Sequence, residues 1–124
     1  MIAADRALLE MAAKAAGIAV VRSRLHDPAR QDFLIRGSAR NPSQDLGPWN
    51  PLADDGDALR LAVKLYIGVR PHGPDHWQQP NVAVALWDFG DKSGRVTVEH
   101  GDDPQRAARR AIVRAAAEVG KAMP

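Results

Sequence analysis

The residues whose type and spacing most directly suggest chemistry lie near the end of the chain. Arg106, Arg110 and Arg114 recur every four residues and so form one row on a helix, with Arg109 flanking it. Guanidinium groups are planar, permanently charged forks that match phosphate oxygens or carboxylates. Two readings stay open for this row. It is either a solvated face that keeps an alanine-rich helix soluble, or an anion-binding or subunit-contact face. Val113 favours the second, because helical spacing places it amid the arginines rather than in the core.

A second candidate is the segment 71–80, PHGPDHWQQP. His72 and His76 stand four apart with Asp75 between them, the spacing at which two helical histidines share a metal. Gly73 and Pro74 break any helix there, so no metal site is expected. His76 and Trp77 instead offer a hydrogen-bonding ring and a stacking platform for a base. The alternative for Trp77 is packing on a sheet edge. Asp54, Asp55 and Asp57 resemble a metal cluster on paper, but at a helix start capping and dipole compensation explain them better. Trp49 and Trp87 read as structural. The chain has no G-x-S-x-G, Walker-type loop, H-E-x-x-H or paired-carboxylate spacing. No catalytic residue and no cofactor are therefore expected. The candidate ligand-binding set is Arg109, Arg110, Arg114, His76 and Trp77.

The elements that must position these residues follow from periodicity. Residues 3–16 read as a helix with Leu8, Leu9, Ala12, Ala15 and Ala16 on one side, ended by Gly17. A strand follows at 18–23, then a turn at 26–32 and a short strand at 33–35, paired as a hairpin. Residues 37–51 read as a long surface loop. The clearest helix starts at Asp54 as N-cap, with Asp57 in the place of a capping-box acid, and buries Ala58, Leu61, Ala62 and Leu65. It fades into Tyr66, Ile67 and Val69, and residues 71–80 form the second irregular loop. Residues 81–89 are apolar on both faces, the mark of a central strand, with Val82, Val84 and Leu86 opposite Ala83, Ala85, Trp87 and Phe89. Residues 95–100 alternate with Val96 and Val98 inward, completing a hairpin across the 90–94 loop. The last helix starts at Asp103-Pro104, buries Ala108, Ile112, Ala115 and Val119, and closes at Gly120. The expectation is an α+β fold, order α-β-β-α-β-β-α, with a four-stranded, mostly antiparallel sheet. One core would hold Leu61, Leu65, Val84, Leu86, Val96, Val98 and Ile112.

The totals agree with a single α/β sandwich-type domain over residues 1–124. The 45% apolar and 26% charged content is that of an ordinary globular chain. A net charge of only +2 argues against general nucleic-acid binding, despite the basic isoelectric point. The absence of cysteine excludes disulfides and thiolate chemistry. Charged residues in the first 20 positions argue against a signal peptide, and no apolar run approaches the roughly 20 residues of a membrane span. A cytoplasmic protein with no membrane partner is expected. Val113 and the two-faced strand at 81–89 suggest a homo-oligomer, a dimer or higher.

Three segments, WNPLADDGDALRLAVKL, GDDPQRAARRAIVRAAAEVG and ALLEMAAKAAGI, resemble small phage and prophage proteins of the phage α-β-α sandwich group. In that group a W-x-P-x-x-D turn, here Trp49, Pro51 and Asp54, leads into the central helix. The resemblance covers the three helices, about half the chain, and its motifs are caps and core positions. It implies a kinship with Thoeris anti-defence sponges, which bind cyclic ADP-ribose-type or cyclic nucleotide immune signals in the infected bacterial host. Such a sponge is not an enzyme. It needs arginines for phosphates and aromatic or polar groups for a base. The alternative is a phage accessory protein acting by protein–protein contact.

Overall fold

A helix rich in alanine can be approached closely on several sides, and the last helix is surrounded in this way. The computed structural model describes residues 3–22, 34–37, 48–90 and 92–124. Its elements are α1 (Ala3–Ala16), β1 (Ala19–Arg22), β2 (Leu34–Gly37), β3 (Pro48–Trp49), α2 (Asp55–Leu65), β4 (Gly68–His72), β5 (Val82–Asp88), β6 (Ser93–Glu99) and α3 (Pro104–Lys121). The class is α+β with three helices. Among the described residues the single four-stranded sheet is corrected to two three-stranded antiparallel sheets, β1-β2-β3 and β4-β5-β6, in the order α-β-β-β-α-β-β-β-α. The turn expected at 26–32, Phe33 and most of the 37–51 loop lie outside the described residues.

Both added strands have a physical reason to be missed. β3 is two residues long and ends the proline-rich stretch, pairing Trp49 with Leu34. β4 contains Pro71, which reads as a breaker. At the edge of a sheet, however, a proline can leave its missing N–H on the unpaired side, and β4 is such an edge, with β5 central.

Helix boundaries follow their caps. Asp103 accepts the Arg106 N–H and Pro104 occupies the first turn of α3. Asp54 Oδ2 accepts the Asp57 N–H at 2.7 Å. The reciprocal half of the expected capping box is redirected: buried Asp57 accepts the Asn50 N–H and the Arg60 guanidinium, tying the preceding turn to α2. At the other end, Ile67 N–H reaches the Ala62 carbonyl and Tyr66 the Val63 carbonyl. Tyr66 then occupies the left-handed region (φ 54°) that usually takes glycine. That conformation costs an L-residue about 1–2 kcal/mol.

α1, α2 and the second sheet all pack on α3. Ala107, Ala111, Ile112, Val113, Ala115, Ala116, Ala117 and Gly120 are buried. Val113 is therefore a core residue, not an exposed one among arginines. With three elements against one helix, what stays exposed is its start, Pro104 and Gln105, and the strip carrying Arg106, Arg114, Glu118 and Lys121. Gly120 does not close the helix. It is the point where α3 meets α1, and an added methyl would stand 2.1 Å from the Met11 carbonyl oxygen.

Leu61, Leu65, Ile112 and Val96 share the expected core, with Val98 packed against it. Leu86 does not: it is 43% exposed. Strand alternation explains this. Ala83, Ala85 and Trp87 face the core shared with α3, whereas Val82, Val84 and Leu86 face the other way. Val84 is nonetheless buried, on that second face.

Candidate functional site

The helix arginines do not form one array. Arg109 turns toward α2, where its Nη1 pairs with Asp55 Oδ1 at 2.7 Å and its Nε donates to the Leu52 carbonyl at 2.9 Å. Arg110 turns toward α1 and pairs with Asp5 Oδ1 at 3.0 Å. Arg114 is exposed and makes no ion pair among the described residues. Arg106 and Arg110 border a cleft of about 340 Å3 that also holds Asp5, Glu99, Asp102 and Asp103. Four carboxylates around two guanidiniums repel a phosphate. The Asp54, Asp55 and Asp57 cluster is likewise committed to caps and ion pairs.

The other candidates, His76 and Trp77, stand apart from these arginines, on the loop between β4 and β5. Antiparallel register sets their surroundings. Arg70 lies opposite Val84, His72 opposite Val82 and Arg95 opposite Leu86. All three therefore fall on the sheet face turned away from α3. Arg70 and Arg95 are on the two outer strands, two strand spacings or roughly 10 Å apart across the sheet and two residues, about 7 Å, offset along it.

The loop folds back on this face through backbone bonds: the Gly73 carbonyl accepts the His76 and Asn81 N–H groups, and Asn81 O accepts the His100 N–H. His76 then stacks on His72, centroids 3.7 Å apart and planes within 6°. The Gln79 side chain meets Arg95 on β6.

The hydrogen bonds assign the imidazole protons. His72 Nδ1 faces the Gln79 carbonyl at 2.9 Å, and a carbonyl only accepts, so His72 carries its proton on Nδ1. His76 Nδ1 receives the Gln78 and Gln79 N–H groups at 3.3 and 3.1 Å. That nitrogen must be unprotonated, leaving the proton on Nε2 and the ring neutral. His76 is accordingly held below the ordinary histidine value of 6.5, by desolvation first and then by His72, Arg70 and Arg95. Arg70 has no acidic partner among the described residues, and Arg95 has only the neutral Gln79 amide.

This arrangement suits an anion better than a metal. A cation would face two guanidiniums, and His76 offers a proton rather than a lone pair at Nε2. An anion would meet two guanidiniums that make no ion pair among the described residues and an N–H donor, with one carboxylate, Glu99 opposite Val82, at the end of the same face. Trp77 is 83% exposed, so it does not pack on the sheet edge and its indole is open to a planar ring. A larger cleft, about 580 Å3, lies between Trp87, Phe89, Lys92, Glu118, Val119 and Met123. Its opposed single charges recognise no anion.

Two of the five expected site residues, His76 and Trp77, thus stand together, and Arg109, Arg110 and Arg114 stand elsewhere. Arg70 and Arg95 were missed. For Arg95 the signal was present: Val96 and Val98 inward puts Arg95 outward. For Arg70 it was hidden by Pro71, which masked the strand. No family model matches the sequence, and no similar protein was found among curated sequences or solved structures.

Proposed function

We propose that this protein is a non-enzymatic binding protein that sequesters a phosphate-bearing nucleotide signal. In this reading it acts as an anti-defence sponge in the cytoplasm of a phage-infected bacterium. The ligand lies across the outer face of the second sheet. Arg70 and Arg95 take its phosphates, His76 Nε2–H donates to it, and Trp77 stacks on a base. One observation supports this above the rest: two arginines without acidic partners among the described residues flank a pair of stacked histidines, one on β4 and one on a loop held by its own backbone bonds. Holding the groups in advance lowers the ordering cost of binding. The phage setting rests on the sequence resemblance alone, and no step of bond making is part of the reading.

Calorimetry against cyclic ADP-ribose isomers and cyclic di- and trinucleotides tests it. A member of that panel should bind more tightly than about 10 μM. Arg70→Ala or Arg95→Ala should weaken it roughly tenfold to a hundredfold, the scale of one charge-assisted contact. Arg114→Ala should leave affinity unchanged. If nothing in the panel binds, the sponge reading gives way to the accessory protein acting by protein contact.

A further inference from the structure

α2 carries apolar side chains on the wrong side. Its inner face is filled by Ala58, Leu61, Ala62 and Leu65. On the opposite face Leu59 and Val63 are each 64% exposed, and Tyr66 is 83% exposed at the end of the same stripe. Spacings of four and three residues align them along one side of the helix. No described element covers them. Scattered apolar residues need no explanation, but an aligned stripe does. Tyr66 adds a second observation, because it holds a backbone conformation that favours glycine while its ring is in solvent. A local rule broken in this way commonly marks a functional position.

We infer that α2 is the contact surface for a second copy of this chain, paired antiparallel about a two-fold axis. The stripe complements itself in that arrangement. A two-fold centred between Leu59 and Val63 sets Leu59 against Val63 of the partner subunit, and Val63 against the partner's Leu59. The same register lays Tyr66 over Gly56 of the partner subunit, where no Cβ stands and the partner's Arg60 guanidinium lies 3.2 Å from where one would be, a cation for the ring face.

Charge agrees with the pairing. The helix starts with Asp54 and Asp55, exposed although each already has a cation of its own subunit, Arg60 and Arg109, and ends with exposed Lys64, which has no ion-pair partner among the described residues. Antiparallel helices bring each basic end to the other's acidic start and oppose their dipoles. A parallel pair would set like ends together. The isologous contact closes at two subunits. This contact replaces Val113 and the two-faced strand as the ground for an oligomer, since Val113 and Val84 are both buried.

Sedimentation over about 1 to 200 μM protein, without ligand, tests the pairing. The wild-type chain should move from monomer to dimer across that range. Leu59→Ser with Val63→Ser should stay monomeric while keeping its helical circular dichroism. Tyr66→Gly should weaken the dimer at least tenfold and yet raise resistance to denaturant, because it removes both the contact and the strain. The chain has no native cysteine, so Leu59→Cys mixed with Val63→Cys should cross-link between the two variants faster than either does alone. A monomer throughout the range would overturn the inference and leave the stripe to a different protein. A dimer that survives the double serine variant, or cross-links without preference for the 59–63 pairing, would overturn it equally.

Discussion

The arginines of α3 and those of the second sheet are chemically identical groups with opposite surroundings. On α3, Arg109 and Arg110 each meet a carboxylate from another helix, Asp55 and Asp5. On the sheet, Arg95 bonds the neutral Gln79 amide, and Arg70 makes no ion pair among the described residues. A row of arginines at regular spacing therefore says little about anion binding until each partner is known. The buried helix uses its charges to fasten its neighbours, and the sheet leaves its charges available. Ion pairs between elements stabilise modestly at best, so the contrast concerns availability more than strength.

The comparison can be broken first through the frame that holds the helix arginines. Leu61 is buried where α2 packs into the shared core. Truncating Leu61→Ala should cost about 2–5 kcal/mol in chemical denaturation, loosening the helix that presents Asp55 to Arg109. A loss under about 0.5 kcal/mol would mean that this face of α2 is not core. Gly120→Ala comes next, forcing a methyl against the Met11 carbonyl. Overpacking of this kind should cost about 1–3 kcal/mol. A neutral result would show that α1 and α3 can separate without penalty.

Smaller effects sharpen the comparison. Arg109→Ala removes an ion pair and a bond to the Leu52 carbonyl, and should destabilise by about 1–2 kcal/mol. Arg70→Ala and Arg95→Ala should each change stability by less than about 0.5 kcal/mol. Equal losses at all three positions would erase the distinction between fastened and available arginines.

The pH dependence is the smallest effect and has a definite sign. His76 is lowered from 6.5 in the folded state, so the unfolded chain takes up the proton first. Its contribution is fully present above pH 6.5 and is lost as pH falls from there through the folded value. Protonation would also end the two hydrogen bonds that Nδ1 accepts. Denaturation midpoints compared between about pH 7.5 and 5 should fall less steeply for His76→Asn than for wild type. Parallel curves would contradict the neutral assignment.

What was legible in the sequence was local. Asp54 and Asp103 cap their helices where side-chain chemistry predicts, and Gly17 ends α1 with the Ile18 N–H on the Ala13 carbonyl. Alternation placed Val96 inward. The misreadings share one cause, which is that they depend on how many neighbours an element has. Val113 sits at the border of an amphipathic face, and a third packing element decides that it is buried. Pro71 forbids a central strand but not an edge one. Asp57 matches a capping box, yet a nearby backbone N–H at Asn50 competes for its carboxylate. The candidate site follows the same rule. His76 and Trp77 are adjacent in sequence and so legible as a pair, whereas Arg70 and Arg95 are joined only by strand register.

The most direct test follows the arginine side chains themselves. Inorganic pyrophosphate, titrated into the 15N-labelled protein, reports through the Nε–H resonances which guanidiniums meet the anion. The Arg70 and Arg95 resonances should move together and saturate, along with the His76 ring, while Arg109 and Arg110 stay still. Shifts concentrated on Arg106, Arg110 and Arg114, with Arg70 and Arg95 unmoved, would return the site to the helix and contradict the account.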